Sequence, residues 1–481
     1  MKKFHIAAVA AFAAVFAHAD GETAAGRQTS TGGYVIAVDS ATAAEKPWAE
    51  VVDALKAKRS ATVLQYDAKK GVKTLLAELR GLEPRYICFV SKPEQAGREL
   101  VVSAAQLVRE IDDDPYADAL WGVLTGYEAG DAMKAVKLDK PLVTKRMFSS
   151  QGGPRSLDGW DAGFVSDEGN ATNCWAKLPG TGVTMRLDCD PDSSVALAKA
   201  FNSIPVDIAM TSGHATEHNW QVIYNKHIGY LLHKDGNLVF RDSKKNGYRI
   251  HSPNPKIYMP SGNCLIGRID GRDCMATAWM HSGGAVQMIG YVVSTFYGYM
   301  GWGTKHLYMT GAYSLSESFF LINQILLAEL GSIDNNLVEA TIDAKGKFDT
   351  DKYIRGMSAL GFNRDAIGIM WDRDTLAFYG DPAWRASMPE EKRALDIASS
   401  ESGIKISFKR EFNFSGKISP GNPSWIPVLL DKPVAKGKTL VDAEGRPVEK
   451  AVVADLFALI PMKKGKVAAG TTMEWKFADG K

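Results

Sequence analysis

Two residues of this sequence, His214 and Cys264, combine a reactive side chain with a position that favours nucleophilic chemistry. Each follows a short apolar run that ends in small or polar residues, VDIAMTSG before the histidine and KIYMPSGN before the cysteine. Open α/β sheets bring their reacting groups together in the crevice outside the carboxyl ends of the strands. Two neighbouring strands would therefore place this thiol beside this imidazole. An imidazole that takes the thiol proton produces a thiolate, which attacks a carbonyl carbon.

Small residues flank both candidates and support the same chemistry. Gly213 precedes the histidine, Ala215 follows it, and Gly262 lies two positions before the cysteine. The glycines let the backbone bend and let a substrate approach closely. Backbone N–H groups around the cysteine and after the histidine are expected to stabilise an oxyanion.

The elements that must position these residues alternate along the chain. Strand and helix signals follow one another from residue 34 onward, which is typical of βαβ units and a mainly parallel sheet flanked by helices. The predicted strands cover 34–39, 61–66, 86–90, 206–210, 257–259 and 285–293, and the predicted helices cover 48–59, 71–80 and 98–110. The fold class is therefore α/β.

Three further patterns predict local structure. Residues 229–242 form a hairpin with Asp235-Gly236 at its turn. A helix spans 314–331, with Ser314 and Glu317 as a capping box and Gly331 just beyond its end. Apolar and polar residues alternate over 404–408 and 473–477, with proline-rich connections between them. This predicts a small C-terminal β-sandwich.

Length, charge and the N-terminus set further limits. A chain of 481 residues is long enough for two or three domains, and a net charge of +2 indicates no nucleic-acid partner. Residues 1–19 combine two lysines, a short apolar run and an Ala-His-Ala site, which predicts a cleaved signal peptide and export to the periplasm or outside the cell. The apolar run is too short for a membrane span, which needs roughly 20 residues.

Export makes the five cysteines informative, because an odd number leaves at least one thiol unpaired. Cys174 and Cys189 lie in a polar stretch and are candidates for a disulfide. Cys88 lies within a strand-like run, where a buried inert thiol is expected. Cys274, the rival nucleophile, begins a helical apolar face and is interpreted as a buried structural cysteine.

Several segments together resemble the gingipain-like branch of the caspase-related cysteine peptidases. They are VDIAMTSGHATEHNW (206–220), PKIYMPSGNCLIG (255–267), DCMATAWMHSGGAVQMIGY (273–291), DDDPYADALWG (112–122) and FYGDPAW (378–384).

The resemblance covers most of 34–390 and implies an exported cysteine endopeptidase that cleaves proteins or peptides through an acyl-enzyme intermediate. It implies a dyad of Cys264 as nucleophile and His214 as base, with no required cofactor. Domain boundaries follow: an N-terminal α/β subdomain at 20–195, a catalytic caspase-like subdomain at 196–395 and an immunoglobulin-like β-sandwich at 400–481. Such peptidases usually have glycine directly after the histidine, where this sequence has Ala215, so an inactive homologue is an alternative.

Two other functions compete for the same residues. His214 to His218 matches the H-x-x-E-H pattern of inverted zinc peptidases, which requires both histidines on one helical face and an acidic third ligand downstream. The nearest downstream glutamate is Glu317, so a nearby glutamate ligand is missing. The other alternative is a non-catalytic exported scaffold that binds a partner through its β domain.

Two residues outside the dyad are candidate substrate contacts. Trp302 ends an aromatic, glycine-rich stretch that follows the proposed catalytic segment and offers a wall for a substrate cleft. Asp114 closes an acidic run that begins at Asp112, which suits a basic P1 side chain, a structural calcium ion or simple solvation. The dyad itself uses no metal.

Overall fold

A computed structural model describes residues 33–189, 192–295, 297–339, 350–359, 361–415 and 424–480. The predicted signal peptide at 1–19 lies outside the described residues. Among the described helices, none is long and apolar enough to cross a membrane.

The first part of the chain alternates strands and helices, as predicted. Its elements are β1 (Tyr34–Asp39), α1 (Ser40–Ala44), α2 (Lys46–Arg59), β2 (Thr62–Tyr66), α3 (Leu76–Leu82), β3 (Tyr86–Val90), α4 (Arg98–Leu107), β4 (Leu120–Leu124), α5 (Ala129–Val136), β5 (Leu142–Val143), β6 (Arg146–Ser149), β7 (Ala162–Asp167), β8 (Asn170–Lys177), β9 (Thr184–Arg186) and α6 (Ser194–Ser203). Short 3₁₀ turns occupy Val72–Leu75, Pro93–Gln95 and Pro154–Leu157.

The middle of the chain continues the same pattern and adds a run of short strands. Its elements are β10 (Ile208–Thr211), β11 (Ala215–Thr216), β12 (Asn219–Gln221), β13 (Tyr230–Lys234), β14 (Asn237–Arg241), β15 (Gly247–Arg249), β16 (Lys256–Pro260), α7 (Met275–His281), β17 (Ala285–Tyr291), α8 (Tyr299–Met309), α9 (Leu315–Ile333), α10 (Asn335–Glu339), α11 (Thr350–Ala359), α12 (Arg364–Arg373), β18 (Leu376–Tyr379) and β19 (Ala386–Ser387).

The last part is all β apart from a 3₁₀ turn at Glu390–Lys392. Its strands are β20 (Leu395–Ser400), β21 (Gly403–Phe408), β22 (Phe412–Phe414), β23 (Trp425–Leu429), β24 (Lys438–Val441), β25 (Val452–Val453), β26 (Phe457–Pro461), β27 (Gly465–Val467) and β28 (Thr472–Asp479).

A 12-stranded sheet organises the α/β part, in the order β2-β1-β3-β4-β18-β17-β16-β10-β6-β7-β8-β9. The strands from β2 to β18 run parallel to one another, and so do those from β17 to β7. The two blocks meet antiparallel at β17 and β18. The carboxyl ends of the two blocks therefore lie at opposite edges of the sheet. The predicted mainly parallel α/β architecture is confirmed.

Helices cover both faces of this sheet, and β1 shows why. All of its residues are buried. Val35 and Ala37 join the large core on one side, while Ile36 and Val38 join a second core with residues of α2 and α5 on the other. Successive side chains of a strand point to opposite faces, so a strand with apolar residues on both faces needs a layer on each.

Of the predictions about single elements, the hairpin and the start of the long helix are confirmed, and the end of that helix is wrong. The 229–242 hairpin is confirmed: β13 and β14 pair antiparallel, and Asp235 and Gly236 at the turn have φ values of 47° and 72°. The capping box at Ser314 is confirmed as well. The expected end of that helix at Gly331 is wrong, because α9 continues to Ile333 and is capped by Asp334. Ser332 and Ile333, which follow the glycine, are exposed, so the two extra residues of the helix bury no further apolar face.

The C-terminal strands form antiparallel sheets around their own core. One has the order β20-β21-β28-β24, another the order β23-β26-β25, and β22 pairs with β27. The alternating segments at 404–408 and 473–477 pair directly, with Ile404 opposite Trp475. This β unit contacts the α/β part through Phe457, whose ring lies 5.3 Å from that of Tyr116. The predicted domain boundaries stay a prediction.

Candidate active site

The two strands that carry the candidate dyad are neighbours. Strands β10 and β16 pair in parallel up to their last residues, with Thr211 opposite Pro260. The N–H of Ser261 donates to the carbonyl of Thr211 at 3.1 Å and extends the pairing beyond the strand ends. His214 follows one strand by three residues and Cys264 follows the other by four. Their backbones therefore emerge side by side at one edge of the sheet, as the sequence predicted.

Asn263 ties the two strand ends together. Its side chain is fully buried. The Nδ2 group donates to the carbonyl of Gly213 at 2.9 Å, and Oδ1 accepts from Oγ1 of Thr211 at 2.6 Å. The residue before the cysteine is thus bonded to the residue before the histidine, which fixes the spacing of the two loops.

Cys264 is half-buried, and its surroundings disfavour the thiolate. Burial raises the pKa of Cys264 above its ordinary value; the N–H of Thr295, which donates to the sulfur, opposes this shift, and the carboxylate of Asp372 adds to it. Among the described residues, no hydrogen bond joins the sulfur to His214. The surroundings of the sulfur therefore favour a thiol over a thiolate–imidazolium pair.

The imidazole of His214 is exposed and held by stacking. Its ring lies 4.6 Å from that of Tyr224, with an angle of 12° between the two planes. Its carbonyl accepts from the N–H of Gln221 at 2.9 Å, which closes the loop behind it. Within the part of the chain that the structure describes, neither ring nitrogen has a hydrogen-bonding partner. The ring is therefore oriented while both nitrogens stay open for proton transfer.

The backbone conformation differs between the glycine before His214 and the alanine after it. Gly213 has a φ of +95°, which favours glycine, whereas Ala215 has no positive φ and pairs with Trp220 in an extended strand. Alanine after the histidine therefore causes no backbone strain. Within the described ranges, the N–H groups of Gly213 and Cys264 donate to no backbone carbonyl.

Trp302 lies against the cysteine loop. A Cβ atom added at Gly262 would come within 3.2 Å of the indole ring and 2.9 Å of Oγ of Ser212. The ammonium group of Lys305, one turn further along α8, lies 4.9 Å from the centre of the indole ring. Gly262 therefore allows the loop that leads to Cys264 to pack closely against Trp302, and the role of Trp302 as a substrate wall stays a prediction.

Sequence reasoning missed a polar group at the ends of β6 and β7. Gln151 donates to Oε1 of Glu168 at 3.3 Å and accepts from Lys305 at 3.4 Å. Oε2 of Glu168 is buried, has no partner among the described residues and lies 3.8 Å from where a Cβ at Gly213 would be. Burial raises the pKa of Glu168. The same strand-end rule that selected His214 could have found these residues.

Asp114 lies in a different place. It precedes β4, which is three strand positions from β16, or about 14 Å at ~4.8 Å per strand. Its carboxylate clusters with those of Asp112 and Asp118, their oxygens within 4.8 Å of one another. Lys436 of the β unit bonds Asp112 at 3.0 Å. No described contact joins Asp114 to the dyad, and the expected calcium ion at this cluster stays a prediction.

The zinc-peptidase alternative lacks its geometry. His214 to His218 form no helix, because β11 and β12 make a tight hairpin here, with Thr216 opposite Asn219. The two histidines therefore do not share a helical face, which the H-x-x-E-H arrangement requires.

The remaining cysteines have structural environments. Cys174 and Cys189 form the predicted disulfide. Cys88 is fully buried in β3, and Cys274 is buried at the start of α7, where its side chain lies 3.4 Å from Oγ1 of Thr277. Of the free cysteines, Cys264 alone is more than marginally accessible to solvent.

No protein-family model matches this sequence, and no match was found among curated proteins. Among solved structures, the chain is similar to the crystal structure of the Arg-specific cysteine proteinase gingipain R (RgpB), at 11% identity over 94% of this chain and 98% of that one, with a TM-score of 0.41. It is similar to a complex of Porphyromonas gingivalis RgpB pro- and mature domains, at 13% identity over 94% of this chain and 100% of that one, with a TM-score of 0.36.

A third similar structure, described as a protease, has 10% identity over 93% of this chain and 97% of that one, with a TM-score of 0.40. This chain thus resembles gingipain-type proteinases over most of its length. At such low identity and TM-score the likeness assigns no residue role and no activity. The roles proposed below rest on this chain's own residues.

Proposed function

We propose that this protein is an exported cysteine endopeptidase with Cys264 as nucleophile and His214 as general base. The observation that carries the proposal is the pairing of β10 with β16, which brings a half-buried thiol and an unpaired imidazole to the same edge of the sheet. Export is supported by the Cys174–Cys189 disulfide, since such bonds persist in oxidising compartments, and by the sequence of residues 1–19.

The reaction begins with a bound peptide, because the resting sulfur and imidazole are not hydrogen-bonded. Catalytic hydrogen bonds are often long in free enzymes and tighten with substrate. His214 takes the thiol proton as the sulfur of Cys264 bonds to the scissile carbonyl carbon. The oxyanion is held by the N–H groups of Cys264 and of Gly213. His214 then gives the proton to the leaving amine, and water releases the acyl group and restores the thiol.

Glu168 is proposed as a substrate contact beside this centre. One oxygen of its carboxylate accepts from Gln151, while the other is buried, faces Gly213 and has no partner among the described residues. A buried acceptor without a partner is costly, so a substrate donor that reaches it gains free energy on binding. Trp302 of α8, which lies against the Gly262 segment, offers an apolar wall for the same substrate segment.

The proposal is tested with an acyloxymethyl-ketone probe and a peptide library. We expect the probe to modify Cys264, peptide hydrolysis to disappear in Cys264→Ala, and hydrolysis to fall by roughly 10²–10⁴-fold in His214→Ala. His227→Ala, which changes another exposed histidine, is the matched control and should retain full activity. Metal chelators should have no effect. Hydrolysis that persists in Cys264→Ala would contradict the proposal.

A non-catalytic scaffold is the second candidate, favoured by the raised pKa of Cys264 and by the lack of a hydrogen bond to His214. In a scaffold the thiol reacts only as an ordinary half-buried cysteine. The acyloxymethyl ketone needs an activated thiol, so a scaffold would stay unlabelled and inactive across the whole library. Labelling of Cys264 would eliminate the scaffold.

A further inference from the structure

The hairpin after His214 carries a histidine pair that the proposed dyad does not use. Nδ1 of His218 and Nε2 of His233 are 3.0 Å apart, with ring centres separated by 5.2 Å. His218 is exposed, while Nδ1 of His233 is buried and has no partner in the described part of the chain. His233 can therefore reach a ligand only through Nε2, the nitrogen that faces His218.

The backbone fixes the pair in place. Strands β12 and β13 are antiparallel, with Asn219 opposite Leu232, so His218 and His233 occupy the next cross-strand position. On its other side His233 is paired with Leu238 of β14. Facing residues of an antiparallel ladder have Cβ atoms about 4.5–5.5 Å apart, which holds both rings in register without a further constraint.

The separation of the nitrogens suits a shared metal ion. Zinc binds imidazole nitrogen at about 2.0–2.1 Å, so two nitrogens at a tetrahedral angle are about 3.3–3.4 Å apart, and at a right angle about 2.9 Å. The observed 3.0 Å lies between these values. Each ring can stay neutral, with its proton on the nitrogen that points away from the ion, so binding requires only a change of tautomer.

One carboxylate lies in the neighbourhood of the pair. Asp273, two residues before α7, is exposed and acts electrostatically on His233, but no described contact brings its oxygens to the two facing nitrogens. Two imidazoles, with water in the remaining positions, suit borderline divalent ions such as Zn²⁺, whereas Mg²⁺ and Ca²⁺ prefer oxygen ligands alone.

We propose that His218 and His233 form a surface site for one Zn²⁺-class ion that bridges the ends of β12 and β13. The ion binds on the hairpin that begins directly after His214, but it does not involve Cys264 or the imidazole of His214. The site is therefore independent of the proposed peptidase activity, and its test measures binding.

The test is calorimetric titration of Zn²⁺ into chelator-treated protein, in a Cys264→Ala background so that the accessible thiol does not compete. We expect one equivalent of Zn²⁺ to bind, and His218→Gln and His233→Gln each to weaken it by at least about tenfold. Glutamine keeps a polar, hydrogen-bonding side chain, and the exposed His218 can be changed without disturbing the core. His227→Gln is the matched control and should bind like the parent.

Two results would overturn the proposal. One is an absence of Zn²⁺ binding at millimolar concentration, which would mean that the pair is only an imidazole–imidazole hydrogen bond. The other is equal binding in the parent and in both glutamine variants, which would place the ion elsewhere. As a check on ion type, Mg²⁺ in excess should not displace Zn²⁺.

Discussion

The protonation state of Cys264 can be tested directly by the pH dependence of its alkylation. Burial raises the pKa of this thiol above its ordinary value, and no hydrogen bond to His214 lowers it. An unperturbed cysteine with a pKa of about 8.5 is roughly 3% thiolate at pH 7, so Cys264 should be less ionised than this. Because only the thiolate reacts, its rate with iodoacetamide should rise close to tenfold between pH 7 and pH 8.

The assay is mass-spectrometric alkylation of the intact protein at a series of pH values. Cys88 and Cys274 are 0% and 2% exposed, so they should stay unmodified while the protein is folded. His214→Ala should leave the alkylation rate of Cys264 within about twofold, yet peptide hydrolysis should fall by roughly 10²–10⁴-fold, the usual contribution of a general base. His227→Ala is the control for both measurements.

A rate that stays flat from pH 6 to pH 8 would refute this reasoning. It would mean that a thiolate–imidazolium pair already exists at rest, and His214→Ala would then slow alkylation sharply. A rate that rises with pH in the parent, with no hydrolysis at any pH, would instead favour the scaffold.

Three other predictions concern the backbone of the site and the acidic cluster. Gly262→Ala should lose most activity and about 1–3 kcal/mol of unfolding free energy, since its Cβ would come within 2.9 Å of Oγ of Ser212 and 3.2 Å of the Trp302 ring. Denaturant unfolding and peptide hydrolysis measure the two effects. Gly213→Ala should lower the free energy of unfolding by about 1–2 kcal/mol, because alanine is strained at the φ of +95° that this glycine adopts. Denaturant unfolding measures this loss, and an unchanged unfolding midpoint would contradict it. Burial and neighbouring carboxylates raise the pKa of Asp118 to about 8, whereas its ordinary value, which applies in the unfolded chain, is 3.8. Between these two pH values the folded state keeps a proton on Asp118 that the unfolded state has lost. The free energy of unfolding therefore falls as pH rises from 3.8 to about 8. Asp118→Asn should remove that slope, and its gain in melting temperature over the parent should be larger at pH 8 than at pH 5.

Much of the candidate site was accessible to sequence reasoning because it depends on one local rule. A buried strand that ends in small residues places the next side chain at a sheet edge, and this rule selected His214 and Cys264. Residues at the ends of β6 and β7 follow the same rule, but Gln151 and Glu168 lack a side chain that suggests covalent chemistry. Their place in the site depends on which strand lies beside β10, and no local pattern reports strand order.

Asp114, by contrast, was selected from its side-chain type, and its position in the fold could not be predicted from the sequence. Its acidic run is conspicuous in the sequence, and a substrate role was a reasonable hypothesis. Strand β4 lies three positions away from β16 in the sheet, however, so the width of the intervening strands separates Asp114 from the dyad. The cluster that includes Asp114 meets Lys436 of the β unit instead. Distances between residues remote in sequence follow from topology, which side-chain type alone does not report.

The sequence by itself determined the α/β class, the Asp235-Gly236 turn, the capped start of α9 and the residues able to act as nucleophile and base. These features depend on periodicity, turn chemistry and side-chain type, which act over a few residues. Only the tertiary structure decided that β10 and β16 are adjacent, that the sheet reverses between β17 and β18, and that His218 faces His233. These three features arise because many strands and helices must bury their apolar faces against one another at the same time. The sequence of one segment does not contain that information.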